Sequence, residues 1–285
     1  MKVKNFIKII QTWAVPRFQS QLPLWCFPER HLRFKAYCVG AFKTGTTTIP
    51  KIFSQQYRAT HQPEIGLLYQ KILELSTGKI NESEFASYIK HRERRLGLEM
   101  DSSGLNYFFV NILLSEFSEA KFILTIRDCY SWLDSFMDQQ YQDYCYVQAN
   151  HPFRKNRAMK VFDIFFRADE FKHAKEEKVL ADNGLHTLDG YFSYWREHNS
   201  KVLATVPEKR LLVVKTQEID QSIRRIEEFL GITPGTLPNN VREHVRRKKS
   251  NIISQIDKDF LEEKANFHCK ELMDKYFPEV KGFNS

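Results

Sequence analysis

No stretch of this 285-residue sequence is apolar for long enough to cross a bilayer, which takes about 20 residues. The apolar N-terminal segment Phe6 to Ile10 is broken by Lys8 and is too short for a signal core. An amphipathic helix lying against the protein body is expected there, within an N-terminal extension covering about residues 1–30. Cysteine is scarce too. Five residues, an odd number without paired spacings, exclude a disulfide framework and point to reduced thiols in a cytosolic setting. No Cys/His cluster has zinc-site spacing, so no metal is expected. Internal repeats and low-complexity tracts are also missing, which leaves one domain over residues 1–285.

The balance that remains is basic, +8 at neutral pH, with 42% hydrophobic residues to build a core. A positive surface suits a polyanionic small molecule, nucleic acid or an anionic membrane face equally well, and local motifs must decide between them.

Gly40-Ala41-Phe42-Lys43-Thr44-Gly45-Thr46-Thr47-Thr48 follows the short apolar run Ala36 to Val39 and leads into Ile49 to Phe53. This reads as strand, glycine loop, helix. Two glycines five apart let the backbone curl so that successive N–H groups point inward, where the helix N-terminus adds its positive end. The product is a pocket for phosphate or a similar tetrahedral oxyanion. A triphosphate-binding loop places Lys directly after the second glycine. Here that slot holds Thr46, and the lysine comes earlier, at Lys43. This disfavours a nucleotide-dependent kinase and suits one diphosphate-like unit held without a metal.

A second anion site is written after a later strand. Lys121 to Ile126 is a strand pattern, followed by Arg127-Asp128-Cys129-Tyr130-Ser131 and, four residues on, Ser135. Arginine binds phosphate through a planar fork. Asp128 and Ser131 suit a helix start, and a serine one or two turns along can face the same anion. An ion pair of Arg127 with Asp128 or Asp134 is the plainer alternative.

Lys43-Thr44-Gly45-Thr46-Thr47 resembles the 5′-phosphosulfate loop of the sulfotransferases that use 3′-phosphoadenosine 5′-phosphosulfate (PAPS). Arg127 and Ser135 have the spacing of that family's 3′-phosphate motif, with Cys129 where many members carry Pro. Arg210 to Lys215 resembles the family's late strand, and Ile226 to Gly231 its Phe-Leu-Gly helix end. The resemblance spans residues 36 to 231. It implies an α/β, P-loop-like three-layer fold with a central, mostly parallel sheet flanked by helices. It also implies PAPS as co-substrate, cradled at its 5′ end by Lys43, Thr44, Gly45, Thr46, Thr47 and Thr48 and at its 3′-phosphate by Arg127 and Ser135. The acceptor would be a hydroxyl on a small metabolite, lipid or glycosylated product. The alternatives are the kinase and a non-catalytic basic protein binding nucleic acid; the resemblance points to no nucleic-acid partner and no integral membrane span.

Sulfuryl transfer needs a base for the acceptor proton and a cation for the leaving oxygen. Lys43 is the natural cation. The candidate bases, in order, are Asp101, Glu64, His61 and Glu99. Asp101 and Glu99 stand in Leu98 to Ser103, near a short strand expected over Leu96 to Met100. Either Asp101 or Glu64 could instead serve as a capping residue.

Helices are expected over Ile65 to Ser76, from Asn81 or Ser83 toward Arg95, over Leu188 to Asn199 and over Asp257 to Tyr276. Leu105 to Phe117 is strongly apolar. Residues 137–185, aromatic and basic, are expected as a helical insert on the acceptor side. The run Arg242 to Lys249, with Arg246-Arg247-Lys248-Lys249, lies where the family closes a basic loop over the 3′-phosphate.

Overall fold

The computed structural model describes residues 18–150, 156–239, 241 and 249–283. Among these residues five strands form one sheet: β1 (Ala36–Cys38), β2 (Ala59–His61), β3 (Met100–Ser102), β4 (Lys121–Ile126) and β5 (Leu211–Lys215). Their order is β2-β3-β1-β4-β5, and every neighbouring pair is parallel. Parallel pairing demands crossovers. These are supplied by α1 (Thr48–Phe53), α2 (Ile65–Ser76), α3 (Glu82–Leu96), α4 (Val110–Glu116), α5 (Cys129–Asn150), α6 (Asn156–Phe165), α7 (Lys178–Asp182) and α8 (Leu188–Thr205), with α9 (Ile223–Leu230) and α10 (Lys258–Tyr276) following β5.

The three central strands, β3, β1 and β4, are buried on both faces, and residues of β1 and β4 alternate between two cores. Along β4, Phe122, Leu124 and Ile126 enter one cluster and Ile123 the other; in β1, Tyr37 joins the first, Ala36 and Cys38 the second. Apolar residues of α2, α3, α5, α8 and α10 cover the first face, those of α1 and α9 the second. The result is the three-layer α/β arrangement.

Local signals fix most element ends. Asn81 and Glu84 form a reciprocal capping box at the start of α3, and Gly97 closes that helix in the left-handed region at φ +54°. This corrects the expected strand over Leu96 to Met100: Leu96 is the last residue of α3, Gly97 turns the chain, and β3 begins only at Met100. Gly231, φ +72°, likewise ends α9, and Asp257 caps α10 through the Phe260 N–H. The apolar Leu105 to Phe117 stretch is half turns, with helix only from Val110.

Residues 137–150 are not a separate insert but the continuation of α5. Phe165 at the end of α6 and Phe166 just beyond it are buried, and Phe162 packs on Phe42, Phe136 and Phe166 with ring centroids 5.5–5.7 Å apart. Phe153, Arg154 and Lys155, expected within this region, lie outside the described residues, as do the N-terminal amphipathic segment and Arg246, Arg247 and Lys248.

The topology places the site. From central β1 the chain goes to the β2–β3 side, then crosses back after β3 to β4 on the other flank of β1. The loops after β1 and β4 therefore leave adjacent strand ends at the point where the winding reverses, where open parallel sheets bind ligands.

Candidate active site

The loop after β1 is shaped by what happens to its carbonyls. Ala41 O accepts from the N–H and hydroxyl of Thr44, at 3.2 and 2.7 Å. Phe42 O accepts from Trp132 Nε1 at 2.8 Å, Lys43 O from Arg127 Nη1 at 3.4 Å, and Thr44 O from Thr216 Oγ1 at 2.8 Å. Gly45 O takes the N–H groups of Thr48 and Ile49, and Thr46 O takes Ser102 Oγ at 2.6 Å. Six consecutive carbonyls are thus bound into the protein. Among the described residues, the N–H groups of Gly45, Thr46 and Thr47 donate to no backbone carbonyl. Three consecutive unspent donors at the start of a helix are an anion-binding nest.

Backbone freedom makes this curl attainable. Lys43 and Gly45 are left-handed, φ +68° and +97°. At Gly40 a Cβ would fall 2.0 Å from Thr125 Oγ1 and 2.5 Å from Thr125 O, so only glycine lets the loop lie against β4. Within the loop the threonines differ. Thr44 is buried with its hydroxyl on Ala41 O and 2.9 Å from Thr125 Oγ1, so its side chain supports the loop from within and does not face a ligand. Thr46 Oγ1 lies 3.4 Å from His61 Nε2, Thr47 is exposed, and Thr48 opens α1.

Arg127 leaves the end of β4 beside this loop. Its Nε donates to Ser131 Oγ at 2.9 Å. Among the described residues it makes no salt bridge. Asp128 instead caps α5, accepting from the Ser131 N–H at 2.8 Å and from its hydroxyl, and Asp134 pairs with Lys249. Burial lowers the guanidinium pKa, with Asp128 and Asp134 pulling the other way. A partly desolvated cation without a bound carboxylate is poised for an anion. Ser135 lies half-buried one turn beyond Ser131, on the same face of α5. Lys249 also reaches Asp138 at 3.5 Å, and Ser250 bonds Asp138 through its N–H and hydroxyl at 2.8 and 2.5 Å, so the segment after the basic run is fastened to α5.

The four candidate bases have different surroundings. Asp101 lies mid-strand in β3 and is wholly buried. It accepts from Arg92 Nη1 at 2.8 Å and Asn106 Nδ2 at 3.3 Å. Arg92 also pairs with Glu93, which takes Lys35 Nζ at 2.7 Å and the Tyr37 hydroxyl at 2.9 Å. Two cations and two carboxylates thus close a neutral network under the sheet, and no acceptor can reach it. Asp101 drops from the head of the ranking. Glu64 grips Arg95 with both carboxylate oxygens, and its side chain is almost fully buried. Glu99 precedes β3, at the strand end opposite the loop, and binds Arg33 and the Arg58 N–H. Burial opposes its charge, but these donors outweigh it and bring the pKa to about 2.

His61 is different. It ends β2, level in register with Ser102 and Cys38, at the strand ends that carry the loop. Burial holds its pKa down at about 4, so the imidazole is neutral at physiological pH and able to take a proton.

Sequence reasoning did not single out Ser102, Trp132 and Thr216, which turn the loop carbonyls outward. A hydroxyl at the end of β3 and another just past β5 are visible in the sequence, but their role depends on which strands flank β1.

A backbone anion nest and a cation beside it, at the strand ends of a parallel sheet, suit a ligand that carries more than one anionic group. Residues 35–245 match the family described as the sulfotransferase domain. The chain belongs to that family. Its fold is similar to two solved structures: a sulfotransferase from Alicyclobacillus acidocaldarius (14% identity, TM-score 0.43, covering 88% of this chain and 94% of that one), and the sulfotransferase STF9 from Mycobacterium avium (13% identity, TM-score 0.48, 95% and 83%). No curated protein matches the chain.

Proposed function

We propose that this protein transfers the sulfuryl group of PAPS to a hydroxyl acceptor, with His61 as the general base. The observation that carries this reading is the nest at Gly45 to Thr47 standing beside Arg127, which makes no salt bridge among the described residues and whose guanidinium touches the loop at Lys43 O. These residues fit the two ends of the donor. The loop from Lys43 to Thr48 would hold the 5′-phosphosulfate through backbone N–H groups, with Lys43 as the cation for the departing bridging oxygen. Arg127 and Ser135 would hold the 3′-phosphate. The bound donor supplies the sulfur electrophile and a bisphosphate leaving group.

The chain's own work is positional. The nest orients the terminal group without reorganising, because its carbonyls are already tied back. His61, beside Thr46, takes the acceptor proton as the hydroxyl attacks sulfur, and the neutral imidazole becomes imidazolium next to the anionic donor. Five free cysteines suit a reducing, cytosolic setting. Among the described residues no helix is long and apolar enough to cross a membrane.

The test is calorimetry with 3′-phosphoadenosine 5′-phosphate and with adenosine 5′-phosphate. Arg127→Ala is expected to weaken the first by about 2–3 kcal/mol, the range for a hydrogen-bonded charge, and to leave the second nearly unchanged. Equal losses for both nucleotides would contradict the assignment.

A further inference from the structure

The turn that carries His61 out of β2 is held in a conformation its residues do not favour. Gln62 and Glu64 are both left-handed, φ +50° and +55°, on either side of Pro63. Two such non-glycine residues this close persist only where the surroundings fix them, and they concentrate at functional sites. The fixing comes from beneath, from α3. Arg92 Nη2 donates to Pro63 O at 3.0 Å, and Arg95 donates to both oxygens of Glu64, one of them at 2.6 Å. Gln62 N–H is tied to Ser102 O at 2.8 Å. Ser102 in turn holds Thr46 O, so turn and nest share one anchor on β3.

We infer that Glu64 and Arg95, with Arg92 on the Pro63 carbonyl, are positioning residues: a buried clamp that forces the 61–64 turn and so aims the His61 ring at the nest. This rests on His61 being the base. Glu64, a base candidate on sequence grounds, acts instead through its neighbour three residues back. A bidentate arginine fork suits the task because it fixes direction as well as distance. It also explains why a charged pair is kept at a nearly dry position, where a hydrophobic pair would serve stability equally well.

The test compares Glu64→Gln, Arg95→Lys, His61→Gln and the double variant Glu64→Gln/His61→Gln in the full chain. Turnover is followed as release of 3′-phosphoadenosine 5′-phosphate from PAPS, with 2-naphthol as acceptor and with water alone. Nucleotide affinity is measured by calorimetry. Glu64→Gln is expected to lower kcat by about 10- to 100-fold, the scale of an ångström-level misplacement, with donor KM and nucleotide affinity within about twofold of wild type. Arg95→Lys, which keeps the charge and loses the fork, should fall between the two. The double variant should be no slower than His61→Gln alone, since aim is irrelevant once the base is gone.

Wild-type kcat in Glu64→Gln, a loss that multiplies with that of His61→Gln, or a parallel loss of nucleotide affinity would each overturn the positioning role. Should Glu64→Gln fail to fold, Arg95→Lys is judged by the same criteria. Full activity in His61→Gln would refute the base itself, a different failure and separately visible.

Discussion

His61→Gln is expected to lower kcat by about two to four orders of magnitude, the usual worth of a positioned general base, while nucleotide binding stays near the wild-type value. Glutamine keeps a hydrogen-bonding group in the space of the ring but cannot take a proton at neutral pH. The sign of the pH dependence follows from the ring's surroundings. Desolvation disfavours the imidazolium and holds the pKa at about 4 in the nucleotide-free protein, and a bound polyanion would favour the charged form and move it upward. Turnover should therefore rise with pH along an acid limb that begins at or above about 4, and that limb should vanish in His61→Gln. A variant with wild-type kcat and an unchanged acid limb would remove His61 from the chemistry.

Asp101→Ala is expected to damage the fold rather than the reaction alone. The carboxylate sits at zero exposure against Arg92, which is itself fully buried. Removing it leaves Lys35, Arg92 and Glu93 with one uncompensated positive charge under the sheet. Breaking a buried pair from one side costs about 3–5 kcal/mol. For a domain of this size that corresponds to a fall of roughly 10 °C in Tm. Thermal unfolding measured beside nucleotide binding separates the two roles. A variant with wild-type Tm and no turnover would restore Asp101 as the base.

The contrast between these two residues shows how far the sequence could be read. The glycine loop, the Lys121 strand, the start of α3 at Asn81 and the extent of α10 rest on local signals and were legible in order along the chain, whereas the Gly97 end of α3 was read as strand. Arg127 was legible as a candidate anion ligand from its place after the Lys121 strand, but that it forms no ion pair with Asp128 or Asp134 was not. The base was not. Asp101 and His61 stand on neighbouring strands one register step apart, and what separates them is Arg92, nine residues before Asp101 and on the helix beneath. Whether a carboxylate is spent on a buried arginine depends on how a crossover helix packs, which no local pattern encodes. The roles of Ser102, Trp132 and Thr216 were hidden for the same reason. Each reaches the loop from a different part of the chain, and only the order β3-β1-β4-β5 brings them to the alternate carbonyls of Phe42, Thr44 and Thr46.

The proposed donor site comprises two anion cradles that would share one nucleotide across the ends of β1 and β4. A crystal structure with 3′-phosphoadenosine 5′-phosphate tests this most directly. The 5′-phosphate oxygens are expected at hydrogen-bond distance, about 2.7–3.2 Å, from the N–H groups of Gly45, Thr46 and Thr47, with the 3′-phosphate on the Arg127 guanidinium. A nucleotide seated elsewhere, or one whose 3′-phosphate turns away from Arg127 while the loop N–H groups face solvent, would contradict it.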